Sequence, residues 1–124
     1  MRKTVHDYYR QAWQGFARAP RSGAWKGSSV FGAGGNCASF QVELEAGRIT
    51  RAVYRCTTCV TLVALCEHLA ELAVGSSVEE AAAWEAQLLL RRHPEVPRER
   101  RDRAELAVRA LRAALRSAAG GMGS

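Results

Sequence analysis

Lysine is nearly missing from this 124-residue chain. Only Lys3 and Lys26 accompany an arginine-dominated positive charge, which gives a formal net charge of +6 and a pI near 9.7. Part of that skew reflects a coding bias toward Arg and Ala. The surplus permits a nucleic acid or an acidic protein partner without choosing between them. Long apolar runs are missing too: no uncharged stretch has the length to cross a bilayer, so no helical membrane span is expected. The opening MRKTVHDYYRQAW lacks an apolar segment after its basic residues, so a secretory signal is not expected and the chain reads as soluble and cytoplasmic. Nor is the chain long enough for two cores. At 48% hydrophobic and 24% charged it has globular rather than disordered composition. The expectation is one domain over residues 1–118 with a frayed tail over 119–124.

Hydrophobic periodicity organises what is there. From Thr4 to about Arg18, Val5, Tyr8, Tyr9, Ala12, Trp13 and Phe16 recur at helical spacing, an aromatic stripe expected to pack on the rest of the domain. Pro20, Gly23 and Gly27 punctuate a loop, and Val30 and Phe31 open a short strand. FGAGGN is glycine-rich but lacks the lysine and hydroxyl of a phosphate-binding loop, so its glycines are read as turning the backbone around Cys37. Phe40, Val42 and Leu44 alternate with Gln41, Glu43 and Glu45, and Ile49 to Tyr54 continue beyond Ala46-Gly47, which predicts a hairpin. VTLVALCEHLAELAV predicts a helix that enters the core and surfaces at Glu67, His68 and Glu71, with Gly75 stopping it. Ser77 and Glu80 form a capping box for a helix carrying Ala81, Trp84 and Leu88 on one face. Pro94 and Pro97 end that helix. Asp102 and Glu105 offer a second capping box, before an apolar stripe from Leu106 to about Ser117. A helix, a small antiparallel sheet and three further helices together predict an α+β domain with helices covering one sheet face.

The chemistry is concentrated in four cysteines: 37, 56, 59 and 66. Short spacing in an intracellular chain favours metal or redox chemistry over a disulfide framework. Cys56-Thr57-Thr58-Cys59 falls where a strand ends and a helix begins, a setting that favours thiolate and brings two sulfurs near one ion. Antiparallel pairing returns the end of the second hairpin strand to the start of the first, so Cys37 is expected at the same sheet edge. Three soft ligands there suit zinc or an iron–sulfur cluster. Cys66 lies about 10 Å further along the helix by rise and is expected to be a buried core thiol. His68 is expected at the surface or half-buried, and neither it nor His6 nor His93 is taken as a ligand. No nucleophile–base pair is visible, so no enzymatic activity is expected.

Beyond the spacing, VHDYY, APRSG, GAGGNC, GRITRAVYRCTTC and ELAVGSSVEEA resemble, in order, segments of the U-type iron–sulfur cluster scaffolds, the IscU/NifU N-terminal family. In that family three cysteines and an aspartate hold a labile cluster, built from iron and desulfurase-derived sulfur and passed to recipients. The resemblance implies an IscU/NifU-like fold, a [2Fe–2S] cluster or iron as cargo, and a cysteine desulfurase and recipient apoproteins as partners. It matches Cys37 and Cys59 to family ligands. The family's Cys-Gly-Asp reads Cys37-Ala38-Ser39 here, its His-Cys before the last helix falls on Asp102-Arg103, and HPEVPRER stands in place of its chaperone motif. In exchange the chain gains Cys56. If Cys56 substitutes for the lost cysteine, the site keeps three thiolates, at residues 37, 56 and 59, with Asp102 a candidate oxygen ligand. Three other readings remain: a zinc-binding or metal-free adaptor on the same fold, a C-x-x-C redox module using Cys56 and Cys59, and nucleic-acid binding through residues 91–103. The last is disfavoured because acidic residues dilute the arginines and no aromatic platform lies among them.

Overall fold

A computed structural model describes residues 3–15, 25–26 and 29–122. In chain order the elements are α1 (Val5–Gly15), β1 (Trp25–Lys26), β2 (Val30–Phe31), β3 (Cys37–Glu45), β4 (Arg48–Cys56), α2 (Val60–Ala73), α3 (Val78–Ala82), α4 (Ala86–Arg92) and α5 (Asp102–Met122). Short 3-10 turns at Ala33–Gly35 and Arg98–Arg100 precede β3 and α5.

The sheet is antiparallel and three strands wide, the α+β arrangement expected from sequence. β4 pairs β3 along one edge, while β1 and β2 lie in tandem on the other, opposite Gln41–Val42 and Cys37–Ala38 respectively. β1 has no sequence signal: two residues show no periodicity. The hairpin turn runs through Ala46 (φ 53°) and Gly47 (φ 78°), both left-handed, as a two-residue connection between twisted strands requires. A bulge between Glu43 and Leu44 leaves Thr50 as the extra residue, and its hydroxyl donates to the Glu43 carbonyl at 3.1 Å.

Strand alternation sends Ala38, Phe40, Val42 and Ala52 to one face, where they meet α2 and α5. Phe40, Ile49, Leu62, Leu65, Leu69 and Leu111 are completely shielded from solvent. On α5 the buried stripe is mostly alanine, at 104, 107, 110, 114 and 118, so the helix axis lies close to the sheet. Ala118 belongs to this core, which carries the helix past Ser117 to Met122, further than the frayed tail expected from residue 119 onward.

Two other expectations need correction. The single helix over Ala81, Trp84 and Leu88 is two: α3 stops at Ala82, and α4 begins anew after Glu85. The Trp84 carbonyl in the break accepts a hydrogen bond from Arg112 of α5, which supplies a partner that a continuous helix would have provided internally. Nor does α2 surface at Glu67 and His68, which are 3% and 5% exposed. α1 covers them. Tyr8 stacks on His68 with ring centroids 4.2 Å apart, its hydroxyl donates to Glu71 at 2.8 Å, and Gln11 donates to Glu67 at 2.9 Å. Of the aromatic stripe on α1, Tyr8 is buried, but Trp13 remains 64% exposed and Phe16 lies outside the described residues.

Ser77 caps α3: its hydroxyl accepts from the Glu80 amide at 3.1 Å, one of the two bonds of the first expected capping box. Replacing it by alanine (Ser77→Ala) should cost about 1 kcal/mol, read as a lower urea midpoint with an unchanged m-value. At the second, the Asp102 carboxylate accepts from Arg103 Nη1 at 2.6 Å, a bond to its own neighbour in the helix.

Candidate metal-binding rim

Three segments meet at one end of the sheet. The first is the glycine-rich loop before β3, where Gly34 and Gly35 take left-handed φ values of 69° and 77°. Asn36 closes the turn by donating from Nδ2 to the Ala33 carbonyl at 3.0 Å. Gly32 lies so near α5 that a Cβ there would come within 3.3 Å of the Leu106 side chain. The second segment is the Cys56–Cys59 turn and the third is the start of α5.

Thr57 joins the first two. Its hydroxyl accepts from the Cys37 amide at 2.7 Å, and its own amide donates to the Cys37 carbonyl at 3.0 Å. The same hydroxyl stands 3.7 Å from Cys37 Sγ, where it can donate to the sulfur. Strand geometry therefore brings the residue 37 backbone to the C-x-x-C turn, as the antiparallel argument anticipated. Cys59 occupies the N-cap position of α2 with extended φ and ψ, and its carbonyl receives the Val63 amide at 2.8 Å. Cys37, Cys56 and Cys59 are all half-buried and free of disulfides.

The side chains do not all follow the backbone to one point. Ala38 is paired with Cys56 across the hairpin, so Cys56 shares the helix-covered face of Ala38 and Phe40, whereas Cys37 sits one residue out of phase with that face. The Cys56 thiol packs against the core cluster that contains Cys66 of α2. The neighbouring Cys66 thiol draws the Cys56 pKa down against the opposing effect of burial. At the fully buried Cys66, the Cys56 thiol and the loss of solvent push the pKa up. Cys59 instead adjoins the guanidinium of Arg103, whose pKa is raised by its bond to Asp102 and by Cys59. Asp102 is thus at the rim, exposed and paired with Arg103. Among the described residues, no three His, Cys, Asp or Glu side chains lie close enough together to hold one ion.

Cys66 is the core thiol expected, though its contact with Cys56 was not anticipated: spacing argued only about its distance from Cys59. Thr57 and Arg103 also escaped the sequence reading as neighbours of the cysteines. The Thr57 link follows from extending the hairpin register by one residue. The Arg103 contact depends on the tertiary docking of α5. His68 and His93, both buried, lie away from the rim with Nδ1 of the first 2.6 Å from Nε2 of the second.

This architecture, a small antiparallel sheet backed by α2 and α5 with cysteines at one rim, defines a class of α+β domain. A family profile described as the NifU-like N-terminal domain matches residues 5–120, and the chain belongs to that family. At the family level this places it with the iron–sulfur cluster assembly scaffolds. No curated protein matched in the corresponding search. Among solved structures, the chain is similar to one described as a hypothetical protein, with a TM-score of 0.59 and 20% identity over 77% of this chain and 84% of the other. That likeness supports the fold alone. No helix among the described residues is long and apolar enough to cross a membrane.

Proposed function

We propose that the protein takes up iron or a [2Fe–2S] cluster as cargo at this rim, with an altered ligand set. The observation that carries the reading is the Thr57 link, which holds the Cys37 loop against the turn bearing Cys56 and Cys59. Cys37 and Cys59 stand where the family resemblance expects ligands. Cys56 supplies the third thiolate by rotating about χ1 away from Cys66, and Asp102 supplies an oxygen ligand once its carboxylate leaves Arg103. A half-buried site with one weak, displaceable ligand suits a cargo that must be surrendered. The donors are a cysteine desulfurase for sulfur, and the acceptors are recipient apoproteins, as in the family.

Anaerobic reconstitution of single-cysteine variants tests the set. Cys37→Ala and Cys59→Ala should each lose most of the bound iron and visible absorption, and Cys56→Ala should lose a comparable share. Iron content unchanged in Cys56→Ala would remove that residue from the ligand set.

One observation favours a second reading, a zinc-binding or metal-free adaptor on the same fold. Arg103, a cation with no lone pair to offer a metal, stands where the helix stripe aligns the family's last cysteine, and it adjoins Cys59. Metal analysis after growth in iron-rich and zinc-rich media separates the two readings.

A further inference from the structure

We infer that Cys56 and Cys66 form a reversible intramolecular disulfide by exchange with a small-molecule disulfide, and that the bond withdraws Cys56 from the rim. The motif in the sequence suggests a different pair, Cys56 and Cys59. The fold gives those two different settings: Cys56 turns toward the core face of β4, while Cys59 occupies the N-cap position of α2 beside Arg103.

Three observations bring Cys56 and Cys66 together. Cys66 shares a face of α2 with Leu62 and Leu69, the side that meets the sheet, and is completely buried there. Cys56 lies on the sheet's facing side and packs on the cluster that contains Cys66, whose thiol is near enough to lower the pKa of Cys56. Next to them, the Tyr54 hydroxyl donates to Glu67 at 2.7 Å, so neighbouring residues on the same two elements are already pinned. The partners also differ in access as exchange requires. Cys56 is half-buried and can be reached by a reagent, whereas Cys66 is closed to solvent.

The chemistry balances with oxidised glutathione as the oxidant. The Cys56 sulfur, its proton going to solvent, attacks one sulfur of the reagent, forming a mixed disulfide and expelling one glutathione thiolate, which takes up a proton. Cys66 gives up its proton and attacks Cys56 Sγ, forming the intramolecular bond and expelling the second glutathione, which is protonated in turn. Two protein thiols are oxidised, and one glutathione disulfide is reduced to two thiols.

The consequence for cargo rests on the function proposed above, but the disulfide itself does not. The test therefore uses metal-free protein and reads mass. Wild type and Cys59→Ser are incubated with oxidised glutathione, trapped with an alkylating agent, digested and mapped. Both should lose two hydrogens and yield a peptide linked through 56 and 66, and dithiothreitol should reverse the change. Cys66→Ala should stop at glutathione on Cys56. A link through Cys56 and Cys59 in wild type, or mixed disulfides with no internal link, would overturn the inference. Should Cys66→Ala fail to fold, the wild type and Cys59→Ser maps decide alone. Loss of iron uptake in the linked form, with uptake intact in the reduced form, would then report separately on the cargo.

Discussion

Acidification from neutral pH to about pH 4 should cost the protein on the order of 3 kcal/mol of folding stability, most of it through one histidine. Burial above all, followed by the neighbouring His93 and Arg92, pushes the His68 pKa down from 6.5 to about 4. The packed form is therefore the neutral one. In the folded state His68 is stacked on Tyr8 and within hydrogen-bonding distance of His93, which also faces Glu95 at 3.3 Å. Lys3 and Glu71 complete the charged surroundings, and Lys3 lies 3.4 Å from the Glu71 carboxylate. The unfolded chain takes the proton first as pH falls, so the stabilisation is complete above pH 6.5 and is lost toward about pH 4. Two carboxylates act in the same direction. Burial opposes ionisation of Glu71 and Glu95, but hydrogen bonds outweigh it, from Tyr8 and Gln11 to the first and from the Val5 amide to the second. Both pKa values are lowered, so both groups withdraw stability at still lower pH. Unfolding free energies from urea titrations across this window should fall with a slope approaching about 1.4 kcal/mol per pH unit, and the midpoints should fall with them. A midpoint that stays flat from neutral pH down to about 5 would show that His68 is not held neutral.

Replacing one side chain at the head of α5 should change cargo retention by about tenfold or more, the scale on which groups supporting a metal site act. Arg103→Cys removes a cation from beside Cys59 and places a thiol where the helix stripe aligns the family's last cysteine. It also releases the Asp102 carboxylate from its ion pair. After anaerobic reconstitution, this variant should keep its visible absorption markedly longer than wild type against a competing chelator. The matched control Arg103→Ala removes the charge without adding a ligand and should gain much less. Equal retention in wild type and Arg103→Cys would mean that α5 takes no part in holding the cargo.

The sheet and the two long helices were legible because their periodicities are unambiguous. Phe40, Val42 and Leu44 alternate over a full hairpin, and Ser77 with Glu80 marks a helix start by chemistry local to four residues. What escaped was tertiary in origin. Glu67 and His68 look like the wet end of α2 until α1 lays Tyr8 and Gln11 across them, a contact between segments 56 or more residues apart. At the helix split over residues 83–85, the Trp84 carbonyl is met by Arg112 from α5, a partner no local pattern announces. At the rim, the antiparallel return correctly brought Cys37 beside the Cys56–Cys59 turn. The direction of each thiol was harder to read, because it depends on the phase of the pleat at the last strand residue. One residue decides whether a sulfur faces α2 or the opening, and composition carries no trace of it.

The manner in which α1 is attached has its own consequence. Among the described residues, the buried apolar cluster draws its members from residue 38 onward, and α1 is tied down by the Tyr8 ring stack, carboxylate bonds and a lysine. An element held in this way can let go on its own, well before the rest of the molecule melts. What it would uncover is charge and imidazole rather than grease. Such an opened form stays wettable and is protected from clumping by the very groups that had been hidden.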